Sequence, residues 1–240
     1  MILNIIPYLT QGLWREAIIM LLFTLVIVVF TLSIHETAHG YVAYKMGDPT
    51  AKSLGRLTLN PAKHIDPIGF IAMLIFGFGW AKPVPINTRY FRKPKWGMAL
   101  TGIAGPISNF IMGVIGAALY GFTLPLFARI ATEQSEGFLY SLAFVVPLFF
   151  ELLAMYNFIF MAFNLIPLPP FDGSRFFYAF LPTKVYFAIM KYEKFILMGL
   201  LVGLFVLSRF FNFSPFAWIA EKVFYGVSNP FFLLGKLLFL

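Results

Sequence analysis

The chain of 240 residues has no cysteine and only three histidines, and charged residues make up 12% of it. Without cysteine there is no disulfide and no thiolate, so any metal must be held by imidazoles and carboxylates. A soluble domain carries about a quarter charged residues. The low charge here, with 60% hydrophobic residues and a mean hydropathy of +0.84, excludes an ordinary soluble core and indicates a multi-pass membrane protein. No stretch is long and polar enough for a separate soluble domain, and no repeat is evident. No small-residue cleavage site follows an early apolar run, so the first long helix is expected to be retained rather than removed as a signal peptide. Acidic residues are scarce too: 10 against 18 lysines and arginines, a formal net charge of +8. The excess is local, with nine basic and two acidic residues between Lys45 and Lys95. Cytoplasmic loops of membrane proteins collect positive charge in this way, so the expected partner is the lipid bilayer and no nucleic acid is required.

Arg15 and Glu16 open a long helix in which residues 18–34 are seventeen positions without a charge. That helix is expected to run to about Met46 and to stop at Gly47-Asp48-Pro49, where glycine supplies a left-handed cap and proline bars continuation. The residues before it, 1–12, read as an apolar surface segment or lead-in. Residues 52–60 alternate polar and apolar side chains around Arg56, which predicts a short strand or hairpin able to pair with an extended peptide. Residues 68–80 are apolar and glycine-rich but too few to span, and suit a re-entrant or interfacial element. Residues 97–128 carry no charge and can span. Gly113, Ala117 and Gly121 recur there at four-residue spacing, which allows close helix packing. Gly105-Pro106-Ile107-Ser108-Asn109 predicts a backbone distortion that faces protein or a cavity rather than lipid. After a polar loop, 129–137, a third span is predicted at about 149–166, with Glu151 near the outer surface. Residues 195–208 form a fourth apolar run, and 216–240 either span or lie in the interface.

The fold class expected is thus an all-α multi-pass membrane protein with about four to six transmembrane or re-entrant segments and a short β element after the first long helix. One domain covers residues 1–240, with a core at about 16–175 and C-terminal membrane segments at about 190–240. The basic loops after the first helix and after Gly173 both belong on the cytoplasmic side, and the loop at 129–137, with one basic and two acidic residues, faces out.

His35-Glu36-Thr37-Ala38-His39 follows the uncharged run at once. Two imidazoles four residues apart lie on one helix face and can reach one metal ion. Glu36 between them can take a proton from a water activated there. Ionisable groups at membrane depth are costly, and by default mark function. A catalytic zinc commonly has three protein ligands, and the third must be His64 or a carboxylate. Asp172 is best placed, because Asn164 to Gly173 (NLIPLPPFDG) ends another span on the same side and its prolines stiffen the backbone. Alternatively, the His, Glu and Asp residues could line an ion path of a transporter or channel, or belong to a noncatalytic membrane regulator.

HETAH in the first long helix, followed by NLIPLPPFDG near the end of a later one, resembles the site-2 protease family of intramembrane zinc metalloproteases. GPISN and FGWAKPVPIN are similar to segments of its compact prokaryotic members, and together these cover most of residues 16–175. The resemblance implies one zinc ion per chain held by His35, His39 and Asp172, with Glu36 as catalytic base. Asn164, eight residues before Asp172, is implied to contact the scissile carbonyl or its oxyanion. The implied substrate is a transmembrane protein, cut in or near its membrane segment in regulated intramembrane proteolysis, with the active site toward the cytoplasmic side of the cell membrane.

Overall fold

The structure is a computed structural model and describes residues 2–76, 79–133, 136–211 and 213–240. Ten α-helices follow one another among these residues. A short α1 (Ile2–Thr10) leads into α2 (Trp14–Lys45), 32 residues long. A helix rises 1.5 Å per residue, so His35 lies about 30 Å along α2, roughly one hydrocarbon thickness from its start. The expected stop is where the sequence puts it: Met46 caps the helix and Gly47 has φ +111°.

Residues 52–60 are not a strand. Thr50–Ser53 form a helical turn, α3, and Gly55 takes a positive φ of 63°. The segment beyond is tied to side chains and turns instead of to a second strand. The Arg56 N–H donates to Ala51 O at 2.9 Å, and the Thr58 carbonyl accepts from Thr37 Oγ1 and from His64 Nε2, both at 2.7 Å. Among the described residues the chain's β pairing is a single bridge between Ile65 and Ala81. Alternation of polar and apolar residues misled because these side chains are sorted by a loop packed on α2, not by a pleat.

α4 (Pro67–Phe76) is ten residues long and too short to cross a bilayer; positions 77 and 78 of the predicted re-entrant stretch lie outside the described residues. α5 (Pro94–Glu133) is 40 residues long and helical through Pro106 and Pro125. The predicted distortion at Pro106 therefore does not break it, although Gly105, Pro106 and Asn109 are buried against protein as expected. α6 (Phe138–Asn164) begins eleven residues before the span read from sequence and passes through Pro147. Glu151 consequently sits half-buried in mid-helix rather than at its start. After α7 (Asp172–Phe177) and α8 (Thr183–Met190) comes α9 (Glu193–Phe211), whose Phe195, Met198 and Phe210 are exposed. α10 (Pro215–Phe239) closes the chain and packs on α5 and α6.

Among the described residues, four helices are long and apolar enough to cross a membrane: α2, α5, α6 and α9 from Lys194. The tightest packing is where small residues let neighbours approach. Phe158 of α6 is fully buried over Gly113, with Ala117, Ala154, Ala220 and Phe224 around it. Gly121 admits the backbone of α10 at Ser228. Asn157 Nδ2 donates to Thr31 Oγ1 at 3.1 Å and joins α6 to α2 through a buried bond. Phe158→Ala removes the ring on which three helices meet and is expected to cost about 3–5 kcal/mol. Thermal unfolding of the detergent-solubilised protein should show a clearly lower midpoint; an unchanged midpoint would contradict this packing.

Candidate metal centre

The site is assembled from α2, α5 and the start of α7. His35 and His39 project from one face of α2, as a four-residue spacing requires. The chain from Leu165 to Phe171 then brings Asp172 to them as the first residue of α7. Gly173 makes that return possible: a Cβ there would lie 2.5 Å from the Leu165 carbonyl oxygen.

His35 Nε2 and His39 Nε2 are 3.0 Å apart and lie 3.0 and 3.1 Å from Asp172 Oδ2. Both imidazoles are buried and Asp172 is nearly so. His39 Nδ1 is 2.7 Å from the Thr101 carbonyl. A carbonyl only accepts, so Nδ1 carries the proton and Nε2 presents a bare lone pair. That lone pair faces a carboxylate oxygen, which is also an acceptor, and a shared cation resolves the conflict. The fit to a metal ion is also steric. Gly105 of α5 passes directly over the group, and a Cβ there would stand 2.5 Å from His35 Cε1 and His39 Nε2. Two imidazoles and a carboxylate converging on one point form a donor set that zinc accepts.

Glu36 lies outside this trio. Its Oε2 accepts the Val84 N–H at 2.8 Å, and its other oxygen has no partner among the described residues. Glu36 lines a cavity of about 220 Å³ together with His39, Asp172, Val84 and Arg175. The loop that supplies Val84 is held along its length. Arg56 donates to Lys82 O, Lys82 N–H to His64 O, and Asn87 N–H to the buried Asp48 carboxylate.

The other residues singled out in the sequence fall elsewhere. His64 is fully buried and hydrogen-bonded to Thr58 O, so it serves the loop and not the trio. Asn164 ends α6, half-buried, and its amide donates to Phe160 O at 3.0 Å. It is not among the residues that line the cavity. Sequence reasoning missed Thr101, Val84 and Arg175, and placed Gly105 against protein or a cavity without assigning it to the trio. Thr101 and Val84 act through backbone atoms and leave no side-chain signal. Gly105 was visible as part of GPISN, and Arg175 as the residue three positions after Asp172.

Gly105→Ala is expected to drive the two imidazoles apart and lower bound zinc from one per chain by about tenfold or more in affinity, as loss of a ligand's support typically does. Zinc analysis of the purified variant under competition with a chelator checks this. Full retention of zinc would show that the glycine is not needed for the trio.

A family model described as Peptidase family M50 matches residues 23–207. Among curated proteins, the chain is 41% identical over 167 residues to a candidate zinc metalloprotease, YwhC of Bacillus subtilis strain 168, covering 68% of this chain and 71% of that one. It is 27% identical over 150 residues to a candidate zinc metalloprotease, Rip2 of Mycolicibacterium smegmatis, covering 60% of this chain and 51% of Rip2. It is 29% identical over 151 residues to the zinc metalloprotease MJ0392 of Methanocaldococcus jannaschii, where it covers 63% of this chain but only 32% of the relative. No solved structure matches the chain. With apolar helices carrying the site and zinc metalloproteases as its relatives, the chain belongs to peptidase family M50, the site-2 type of zinc metalloprotease.

Proposed function

We propose that the chain is an intramembrane endopeptidase that hydrolyses a peptide bond in or near the transmembrane segment of another membrane protein, at the cytoplasmic side of the cell membrane. The observation that carries this reading is the convergence of His35, His39 and Asp172 beside Glu36, which has a free carboxylate oxygen on the same cavity. The side is supported by the basic residues clustered in the loops beside it, from Lys45 to Lys95 and from Arg175 to Lys194. A role in regulated intramembrane proteolysis is part of the same proposal and is supported by membership of the M50 family.

His35, His39 and Asp172 would hold the ion. Bound there, zinc supplies Lewis acidity, which brings the pKa of water to about 7 and polarises a carbonyl. Glu36 then accepts the proton of the attacking water on its free oxygen while Val84 N–H holds the other, and it can return the proton to the leaving nitrogen. Asn164 has two amide hydrogens, and Phe160 O takes one. Turned from that bond toward the trio, the amide is the proposed donor to the oxyanion. A transmembrane helix hides its peptide bonds in its own hydrogen bonds, so a substrate must unwind locally before it enters a cavity of this size.

Glu36→Gln should keep zinc and lose cleavage of a transmembrane reporter by about 10²–10⁴-fold. Asn164→Ala should lower kcat by about 10²–10³-fold. Both are measured on purified protein in detergent or vesicles by the appearance of the cut fragments. Cleavage by Glu36→Gln equal to the wild type would overturn the mechanism.

A further inference from the structure

Arg175 stands one turn beyond Asp172 on α7 and lines the same cavity as Glu36 and His39. Its stem is pressed on α5: a Cβ built at Gly102 would lie 2.8 Å from the arginine Cβ and 3.3 Å from its Cδ. The side chain is half-buried, yet among the described residues its guanidinium has neither a carboxylate partner nor a hydrogen bond. Taking a cation partly out of water without a partner is costly. Of the two carboxylates on the cavity, Asp172 faces the two histidines and Glu36 accepts from Val84 N–H, and neither forms an ion pair with Arg175. An anion that enters the cavity from outside fits this arginine.

Peptide-bond hydrolysis makes such an anion. Water adds at the carbonyl carbon, the carbon–nitrogen bond breaks, and both protons of the water pass to the nitrogen. The acyl fragment is left as a carboxylate and the other fragment as an ammonium. That carboxylate arises in the cavity beside Glu36 and Asp172, two groups of its own charge. The planar fork of a guanidinium matches a carboxylate with two parallel hydrogen bonds, and the stem held at Gly102 limits the entropy lost on binding.

We propose that Arg175 is a substrate-binding residue that receives the new C-terminal carboxylate of the acyl fragment. The proposal rests on the hydrolytic reading above and supplies the group that neutralises its product. The test uses the zinc-loaded full chain and a dansyl-labelled leucine–alanine peptide, ending either in a free carboxylate or in a carboxamide. Binding is titrated by fluorescence anisotropy in the wild type, in Arg175→Met, which keeps the stem on α5, and in Arg175→Lys. Arg175→Gln is a second neutral variant should the methionine form not fold.

The wild type is expected to prefer the carboxylate. The preference should fall about tenfold or more in the neutral variant, as for loss of a charge-assisted bond, and return in part in Arg175→Lys, with zinc content equal in all. An unchanged preference in the neutral variant, or an equal weakening of both peptides, would overturn the proposal. Binding needs no turnover, so the two readings fail separately. A wild type that cleaves no reporter counts against the hydrolytic reading, whereas the carboxylate preference judges Arg175.

Discussion

Two imidazole nitrogens and a carboxylate oxygen face one another within 3.1 Å inside a helix bundle, and the rest of the structure is arranged around that crowding. In a low-dielectric interior, lone pairs so placed repel unless a cation lies among them. The protein holds them there through supports on His39 and Asp172 and through space left above both rings. Thr101 O takes the His39 proton, the bare Cα of Gly105 leaves room for both rings, and the turn ending in Gly173 delivers Asp172. None of these supports would be needed by a helix that only packed against its neighbours.

The same logic explains the loop layer at the end of α2. Residues 82–87 carry no regular structure, yet side chains of α2 and of the segment after it clamp them: Glu36 at Val84, Asp48 at Asn87 and Arg56 at Lys82. His64 and Thr37 share the Thr58 carbonyl beneath them. An irregular backbone near a membrane is tolerated only where its polar groups are satisfied by protein or water. Here the buried Asp48 and Arg56 supply that satisfaction together with the part-buried Glu36, the proposed catalytic base. Site and loop are therefore not separable, since a change that frees Val84 also frees Glu36.

Much of this was legible in the sequence because membrane chains write their constraints in large letters. The uncharged run before His35, the stop at Gly47 and the pairing of HETAH with Asp172 all follow from the cost of polar groups in hydrocarbon and from helix geometry. The strand expected at residues 52–60 was not there, because alternation records which side chains are covered and not what covers them; a loop lying on α2 sorts residues in the same way. The span read at about 149–166 put Glu151 near the outer surface, whereas α6 already begins at Phe138 and carries Glu151 half-buried in mid-helix. Val84 and Thr101 could not be read at all, since a backbone N–H or carbonyl is common to every residue. Asn164 was implied by the resemblance to the site-2 protease family, and the structure places it at the end of α6, bonded to its own helix.

The central claim is that two of the three histidines, with Asp172, hold one zinc ion. X-ray absorption at the zinc edge of the purified chain tests it most directly, on the wild type and on His35→Ala and His64→Ala. The account predicts one zinc per chain with two imidazoles and otherwise oxygen ligands, a spectrum unchanged by His64→Ala, and loss of the zinc in His35→Ala. A third imidazole on the ion, or a zinc signal that survives His35→Ala unaltered, would contradict it.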